Sequence, residues 1–220
     1  MNYAEWEPIY AAILADFGFD RARDEESAEV AAALRAHKRR ADEELLRELD
    51  ALIRGRRALI CGNAPQLARE VKEHDAAFES APPARAWVVI AADGATSVLL
   101  RHGFIPDIIC SDLDGTIPDI ITANRLGALV VVHAHGDNIP MLRKVMPALN
   151  DRVICTTQSR PLPAVHNFGG FTDGDRCVFL AREFGAQSIE LIGFEFDDPH
   201  VSARKHKKLQ WAKRLIAAIR

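Results

Sequence analysis

Trp87-Val88-Val89-Ile90-Ala91-Ala92-Asp93-Gly94-Ala95-Thr96 is the stretch that decides the architecture. An apolar run with no polar alternation is a strand covered on both faces, as in the middle of a parallel sheet. This one stops abruptly at an acidic residue and a glycine. The same grammar returns at Ile108-Ile109-Cys110-Ser111-Asp112-Leu113-Asp114-Gly115. Working outward, Ala58-Leu59-Ile60-Cys61 leads into Gly62-Asn63-Ala64-Pro65, and Leu129-Val130-Val131-Val132 leads into His133-Ala134-His135-Gly136-Asp137-Asn138. Two further runs are Arg152-Val153-Ile154-Cys155 and Ile189-Glu190-Leu191-Ile192. The segments between them, such as 97–102, 141–146 and 176–184, suit crossover helices. Ser80-Ala81-Pro82-Pro83-Ala84 reads as a loop. The expectation for residues 55–220 is an α/β fold: a mainly parallel sheet flanked by helices.

Residues 1–54 have a different rhythm. Trp6, Ile9, Tyr10, Ile13, Leu14 and Phe17 fall at helical spacing. A second helix is expected from near residue 24 to about residue 53, closing on the stripe Leu45, Leu49, Leu52 and Ile53. The reading is an N-terminal helical appendage packed on or beside the main domain. Such a stripe packs equally well within a chain or between copies, so a homo-oligomer stays open.

Composition narrows the function classes. With 48% hydrophobic and 27% charged residues among 220, this is an ordinary globular chain. No apolar run approaches the roughly 20 residues of a membrane span, and the opening residues carry no signal-like core, so a cytoplasmic location is expected. A net charge of −3 without a basic stripe argues against nucleic acid as a partner. Cys61, Cys110, Cys155 and Cys177 form no CxxC pair, and three of them lie in apolar runs where cysteine acts as a small hydrophobe.

Ligands of an open parallel sheet bind beyond the C-terminal strand ends, and there the acidic, polar and glycine residues have accumulated. Asp112 and Asp114 are two apart, and extended geometry would turn both side chains to one face about 6 to 7 Å apart. Two such carboxylates repel unless a cation lies between them; Mg²⁺ takes one or two carboxylates and leaves its other positions to water and phosphate oxygens. Asp93 and Asp137, at neighbouring strand ends, are placed to join them or to act from behind. Aspartate is also a common turn and helix cap. Four of them along one sheet edge favour the metal.

Other motifs are weaker. Gly62-Asn63-Ala64-Pro65 is a strand-to-helix turn whose N–H groups could meet a phosphate, though it matches neither GxGxxG nor the P-loop pattern. Asp93-Gly94-Ala95-Thr96 allows close approach of a ligand and equally an ordinary turn. His133-x-His135-x-Asp137 is like the HxHxDH pattern of binuclear zinc hydrolases, but Asn138 replaces the last histidine. Thr172 and Asp175 have capping-box spacing, an account that leaves Asp173 unused. Gly193-Phe194-Glu195-Phe196-Asp197-Asp198 adds acid to the same edge, and Arg204, Lys205, Lys207, Lys208 and Lys213 crowd the final helix. Such a run is usually a solvated face; opposite an acidic edge, one or two of its lysines are candidates to reach a polyphosphate.

At these motifs the chain resembles two related families. Ala92-Asp93-Gly94-Ala95, Pro106-Asp107-Ile108 and Ser111-Asp112-Leu113-Asp114-Gly115 resemble thiamine pyrophosphokinase stretches that read ADGGAN and PDxxxGDxDS. Ser111 stands for the family Gly, and Gly115 for the Ser. A fuller resemblance, over nearly the whole chain, is to the archaeal 6-hydroxymethyl-7,8-dihydropterin diphosphokinase family. It runs through Tyr3-x-x-Trp6-x-Pro8-Ile9-Tyr10, Cys61-Gly62-Asn63-Ala64-Pro65 and His135-Gly136-Asp137-Asn138. It continues through Asn167-Phe168-Gly169-Gly170-Phe171-Thr172-Asp173-Gly174-Asp175-Arg176 and Ile192-Gly193-Phe194 to Lys208-Leu209.

That resemblance implies a thiamine pyrophosphokinase catalytic-domain-like sheet, ATP and a reduced pterin alcohol as substrates, and Mg²⁺ as cofactor. It implies transfer of diphosphate to the alcohol with release of AMP, in tetrahydromethanopterin or folate-type cofactor synthesis. Asp112 and Asp114 are then the metal ligands, catalytic together with Asp137. Gly62, Asn63, Asp93, Gly94 and Thr96 are candidate nucleotide contacts; Asn167, Thr172, Asp173 and Asp175 are candidate substrate contacts. Thiamine as acceptor, a sugar-nucleotide transferase and a non-catalytic nucleotide-binding module are the alternatives.

Overall fold

The computed structural model describes residues 1–74 and 86–219; the loop read at 80–84 lies outside them. Among the described residues seven strands form one sheet: β1 (Arg57–Cys61), β2 (Trp87–Ala92), β3 (Ile108–Ser111), β4 (Leu129–Ala134), β5 (Val153–Thr157), β6 (Val165–His166) and β7 (Ser188–Ile192), ordered β6-β5-β4-β3-β2-β1-β7. Every pairing is parallel. The unalternating runs are strands sealed on both faces: β2 through β5 are buried at nearly every position. The sequence reading counts six runs. The seventh strand, β6, is two residues long and too short to register as a run.

The helices are α1 (Tyr3–Phe17), α2 (Arg21–Arg35), α3 (Asp42–Ile53), α4 (Leu67–Glu73), α5 (Ala95–Arg101), α6 (Ile117–Arg125), α7 (Ile139–Val145), α8 (Asp173–Glu183) and α9 (Ala203–Ile219). On one sheet face, Ala28 and Ala31 of α2 join Leu67, Leu99, Ile120 and Leu142 of α4 to α7 against Leu59, Val89, Val130 and Val132. On the other, Leu45, Leu49 and Ile53 of α3 join Val178 and Ala181 of α8 and Ile216 of α9 against Ile60, Ile90 and Ile108. The result is three layers around two apolar cores.

The single helix expected from residue 24 to 53 is two helices. α2 starts earlier, on the Asp20 cap, and ends at Arg35; α3 begins after Ala41, which is extended at ψ 146°. The reason is burial: α2 serves one sheet face and α3 the other, so the chain must break and cross the sheet edge. The crossing is pinned where Lys38 Nζ donates to the Leu149 carbonyl and Arg39 N–H donates to Asp151.

α1 opens with a capping box, Asn2 with Glu5, and closes on Gly18 in the left-handed region at φ 67°. Its Trp6, Tyr10 and Ile13 pack with Phe171, Phe179 of α8 and Leu215 of α9 in a third cluster. Trp6 Nε1 donates to the Gln158 carbonyl at 2.8 Å, tying α1 to the loop after β5.

The strand order reverses beside β1. The chain steps outward from β1 to β6, then returns through α8 to lay β7 on the far side of β1. Parallel α/β sheets bind ligands at such a switch point, beyond the carboxyl ends of the strands.

Candidate active site

Beyond the ends of β1, β2, β3 and β7 opens a cleft of about 410 Å³. Its floor is backbone. A Cβ on Gly62, after β1, would lie 2.5 Å from the Gly193 carbonyl oxygen after β7, so only glycine lets the two strand ends close. Gly94, after β2, is covered by the Asn63 side chain. Gly62, Asn63 and Gly94 thus line the same cleft.

The acidic wall follows β2 and β3. Asp112 and Asp114 do face the same space, but not by extended geometry. β3 has already ended at Ser111, and Leu113, fully buried, sits in the left-handed region at φ 66°. That turn buries the leucine and leaves both flanking carboxylates on the cleft. Ser111 Oγ fixes it by accepting the Leu113 N–H at 2.8 Å while donating to Asp93 Oδ2 at 3.1 Å. Gly115 N–H also donates to Asp93 Oδ2, at 3.2 Å. A Cβ at Gly115 would overlap the Asp93 carboxylate. The two positions that depart from the thiamine pyrophosphokinase pattern therefore both touch Asp93.

Asp93, Asp112, Asp114 and Asp173 each offer an oxygen, and these oxygens lie within 4.8 Å of one another. Such crowding is costly without a cation. Burial, then Asp112 and Asp114, push Asp93 up to about 7. Burial and Asp112 raise Asp114, and burial with Asp112 lifts Asp173 well above the usual carboxylate range. Asp112 goes the other way: burial opposes its charge, but His135 and Arg176 more than offset that and hold it low. Asp93 Oδ1 and Asp112 Oδ1 are buried with no hydrogen-bond partner. Hard oxygens of one sign, two of them unsatisfied, are the donor set for a divalent oxophilic cation, so the residues fit a bound metal.

Cations line the same cleft. Arg176, one turn into α8, donates to Asp173 Oδ1 at 3.0 Å and to Gln158 Oε1 at 3.4 Å. From α9, Lys205 and Lys208 line the cleft. Lys207 and Lys213 instead pair with Asp16 at 2.8 Å and Asp197 at 2.6 Å, outside it.

The remaining expected site residues divide. Thr96 is fully buried and does not line the cleft. Asn167 spends its amide on the Gln158 and Ser159 carbonyls and the Gly169 N–H, which makes it a loop brace. Asp175 is buried, its two oxygens accepting from Phe171 N–H, Thr172 N–H and the Thr172 hydroxyl; the capping box accounts for it. Thr172 reaches the cleft, but with that hydroxyl occupied. Asp137 lies outside the carboxylate cluster and lines a smaller adjoining pocket. Among the described residues His133, His135 and Asp137 form no metal-ligating group. His133 is buried with Nδ1 beside Thr156 Oγ1, and His135 Nε2 stands 3.3 Å from Asp112 Oδ2.

Sequence reasoning assigned no role to Arg176. Its signal was present: a basic residue three positions after Asp173, one helical turn away and on the same face. Gln158, which braces that guanidinium, lies in a loop without a motif and had none.

A parallel sheet whose open end gathers carboxylates, glycine turns and lysines around one cleft defines a class, the α/β phosphotransferases. Residues 33–200 match the family model described as MptE-like, 6-hydroxymethylpterin diphosphokinase. The chain is 44% identical to the 6-hydroxymethyl-7,8-dihydropterin pyrophosphokinase of Methanothermobacter thermautotrophicus, over 98% of this chain and 94% of that protein. It is 39% identical to that of Pyrococcus furiosus (98% and 93%) and 37% identical to that of Methanocaldococcus jannaschii (98% and 95%). The chain belongs to the MptE-like 6-hydroxymethylpterin diphosphokinase family.

Proposed function

We propose that this protein transfers diphosphate from ATP to the alcohol of 6-hydroxymethyl-7,8-dihydropterin, giving the pterin diphosphate and AMP. The observation that carries the reading is the cluster of four aspartates sharing one cleft with Lys205 and Lys208, in a chain of this family. The product is the activated pterin of tetrahydromethanopterin or folate-type cofactor synthesis, and ATP as donor agrees with a cytoplasmic location. Among the described residues no helix is long and apolar enough to cross a membrane.

The hydroxymethyl oxygen attacks the β-phosphorus in line and loses its proton to solvent, while the bond from that phosphorus to the bridging oxygen of the α-phosphate breaks and AMP departs with that oxygen. Asp112 and Asp114, with Asp93 and Asp173 beside them, would hold Mg²⁺, which would supply charge neutralisation on the phosphates. The chain supplies the rest through position. Gly62, Asn63 and Gly94 let the nucleotide approach the backbone. Lys205 and Lys208 meet phosphate oxygens as mobile point charges. Arg176 is held by Asp173 and Gln158 with its guanidinium at the reacting end. His135 keeps Asp112 ionised. No covalent intermediate is needed for a loose phosphoryl transition state, where positioning and electrostatics dominate.

The test is AMP release from ATP and Mg²⁺ with the reduced pterin alcohol, against thiamine and no acceptor. AMP formed only with the pterin is expected. AMP formed with thiamine, or with neither, would overturn the reading.

A further inference from the structure

A second pocket, of about 210 Å³, adjoins the cleft. The two share the side chains of Asp112, Phe171, Arg176 and Lys208. In-line transfer places the attacking oxygen and the departing group on opposite sides of the phosphorus, so two compartments meeting at these groups match its two ends. Volume separates their occupants. A nucleoside triphosphate needs the larger space, and a flat bicycle of pterin size fills the smaller.

The linings separate them too. The cleft has the glycine backbone floor that suits a phosphate chain. The cleft carries aromatic rings as well, Phe171, Phe194 and Phe196; the smaller pocket carries Phe19 and Phe171, with centroids 6.4 Å apart, and the Arg204 guanidinium 5.3 Å from the Phe19 ring centroid. It also contains Asp137, exposed, whose carboxylate meets no hydrogen-bond donor among the described residues. A carboxylate repels phosphate, but accepts two parallel hydrogen bonds from neighbouring N–H donors. The pyrimidine edge of a pterin, with its amino group beside a ring N–H, offers such a pair. The corresponding edge of adenine alternates donor with acceptor and does not.

We propose that this smaller pocket is the acceptor site, taking a planar bicyclic heterocycle against the Phe19 and Phe171 side chains with its donor edge on Asp137 and its alcohol at the Asp112–Arg176 junction. The proposal rests on the functional reading above. It makes Asp137 a recognition residue for the acceptor, one of the roles the family resemblance left open for it beside orienting the alcohol or holding a second Mg²⁺.

The test uses the full chain with Mg²⁺ and measures Kd for 6-hydroxymethyl-7,8-dihydropterin and, separately, for the α,β-methylene analogue of ATP. Asp137→Asn and Phe19→Ala are each expected to raise the pterin Kd at least tenfold, and the analogue Kd less than twofold. Asn63→Ala is expected to do the reverse. Asp137 is exposed, so its variant remains informative if Phe19→Ala fails to fold. The assignment is overturned if Asp137→Asn leaves the pterin Kd within twofold, or weakens the analogue instead. An unaltered chain that binds the analogue but not the pterin would instead sink the functional reading, and the acceptor site with it.

Discussion

The Ser111 hydroxyl donates to Asp93 Oδ2 at 3.1 Å, and so binds the end of β3 to the end of β2 at the mouth of the sheet. One side chain thereby sets both the Leu113 turn, which aims Asp112 and Asp114, and the carboxylate that faces them. Ser111→Ala should cost about 1 kcal/mol of stability, the usual worth of a buried hydrogen bond. Its larger effect should be on the half-saturating Mg²⁺ concentration, rising about tenfold in a titration of initial rates. An unchanged Mg²⁺ dependence would show that the turn holds without the hydroxyl.

Asp112→Asn and Asp114→Asn should each lower kcat by at least about a thousandfold, the scale on which removing a main electrostatic contributor acts. Neither side chain packs in the apolar cores, so the far-UV circular dichroism and unfolding midpoint should stay close to those of the unaltered chain. Near-normal turnover in either variant would end their assignment to the metal.

Crowding at Asp93 has a stability sign. Its carboxyl titrates at about 7 in the folded chain, against about 3.9 when unfolded. Between those values the folded protein keeps a proton that the unfolded chain has released, so stability falls as pH rises from about 4 to 7. Asp93→Asn removes that contribution. In metal-free buffer the variant should gain on the unaltered chain by about 1–3 kcal/mol between pH 5 and pH 8, read by urea denaturation at both. A constant difference across the two would refute the raised carboxyl. The variant should nonetheless be nearly inactive, a trade of function for stability.

Neighbouring lysines of α9 should behave differently. Lys208 lines the cleft and Lys207 is paired with Asp16 outside it. Lys208→Met should raise the KM for ATP about tenfold, as loss of a charge-assisted phosphate contact does. Lys207→Met should leave it within a factor of two. Equal effects would mean that the helix contributes only a general positive field.

The strands were legible because a strand sealed on both faces has nowhere to put a polar residue, so Val88–Ile90 and Leu129–Val132 read as unbroken runs. The acidic edge was legible for the converse reason: Asp93, Asp112 and Asp114 follow those runs directly. What escaped depends on tertiary partners. The break between α2 and α3 follows from which sheet face each must cover, and periodicity carries no label for a face. Leu113 in a left-handed turn is stabilised by burial and by Ser111, which no dipeptide rule anticipates. Asn167 entered as a substrate contact through the family resemblance, yet its amide is taken up by the Gln158 and Ser159 carbonyls after β5 and by the Gly169 N–H.

The Gly62–Gly193 approach joins the end of β1 to the end of β7, segments separated by most of the polypeptide. During synthesis, the ribosome must therefore release β7, long after β1, before this glycine floor can exist. Truncation before β7 should yield a product without a complete sheet and, on the function proposed here, without nucleotide affinity. Pairing of such distant segments is also slow, so closure of this glycine contact would be a late event in the birth of the enzyme.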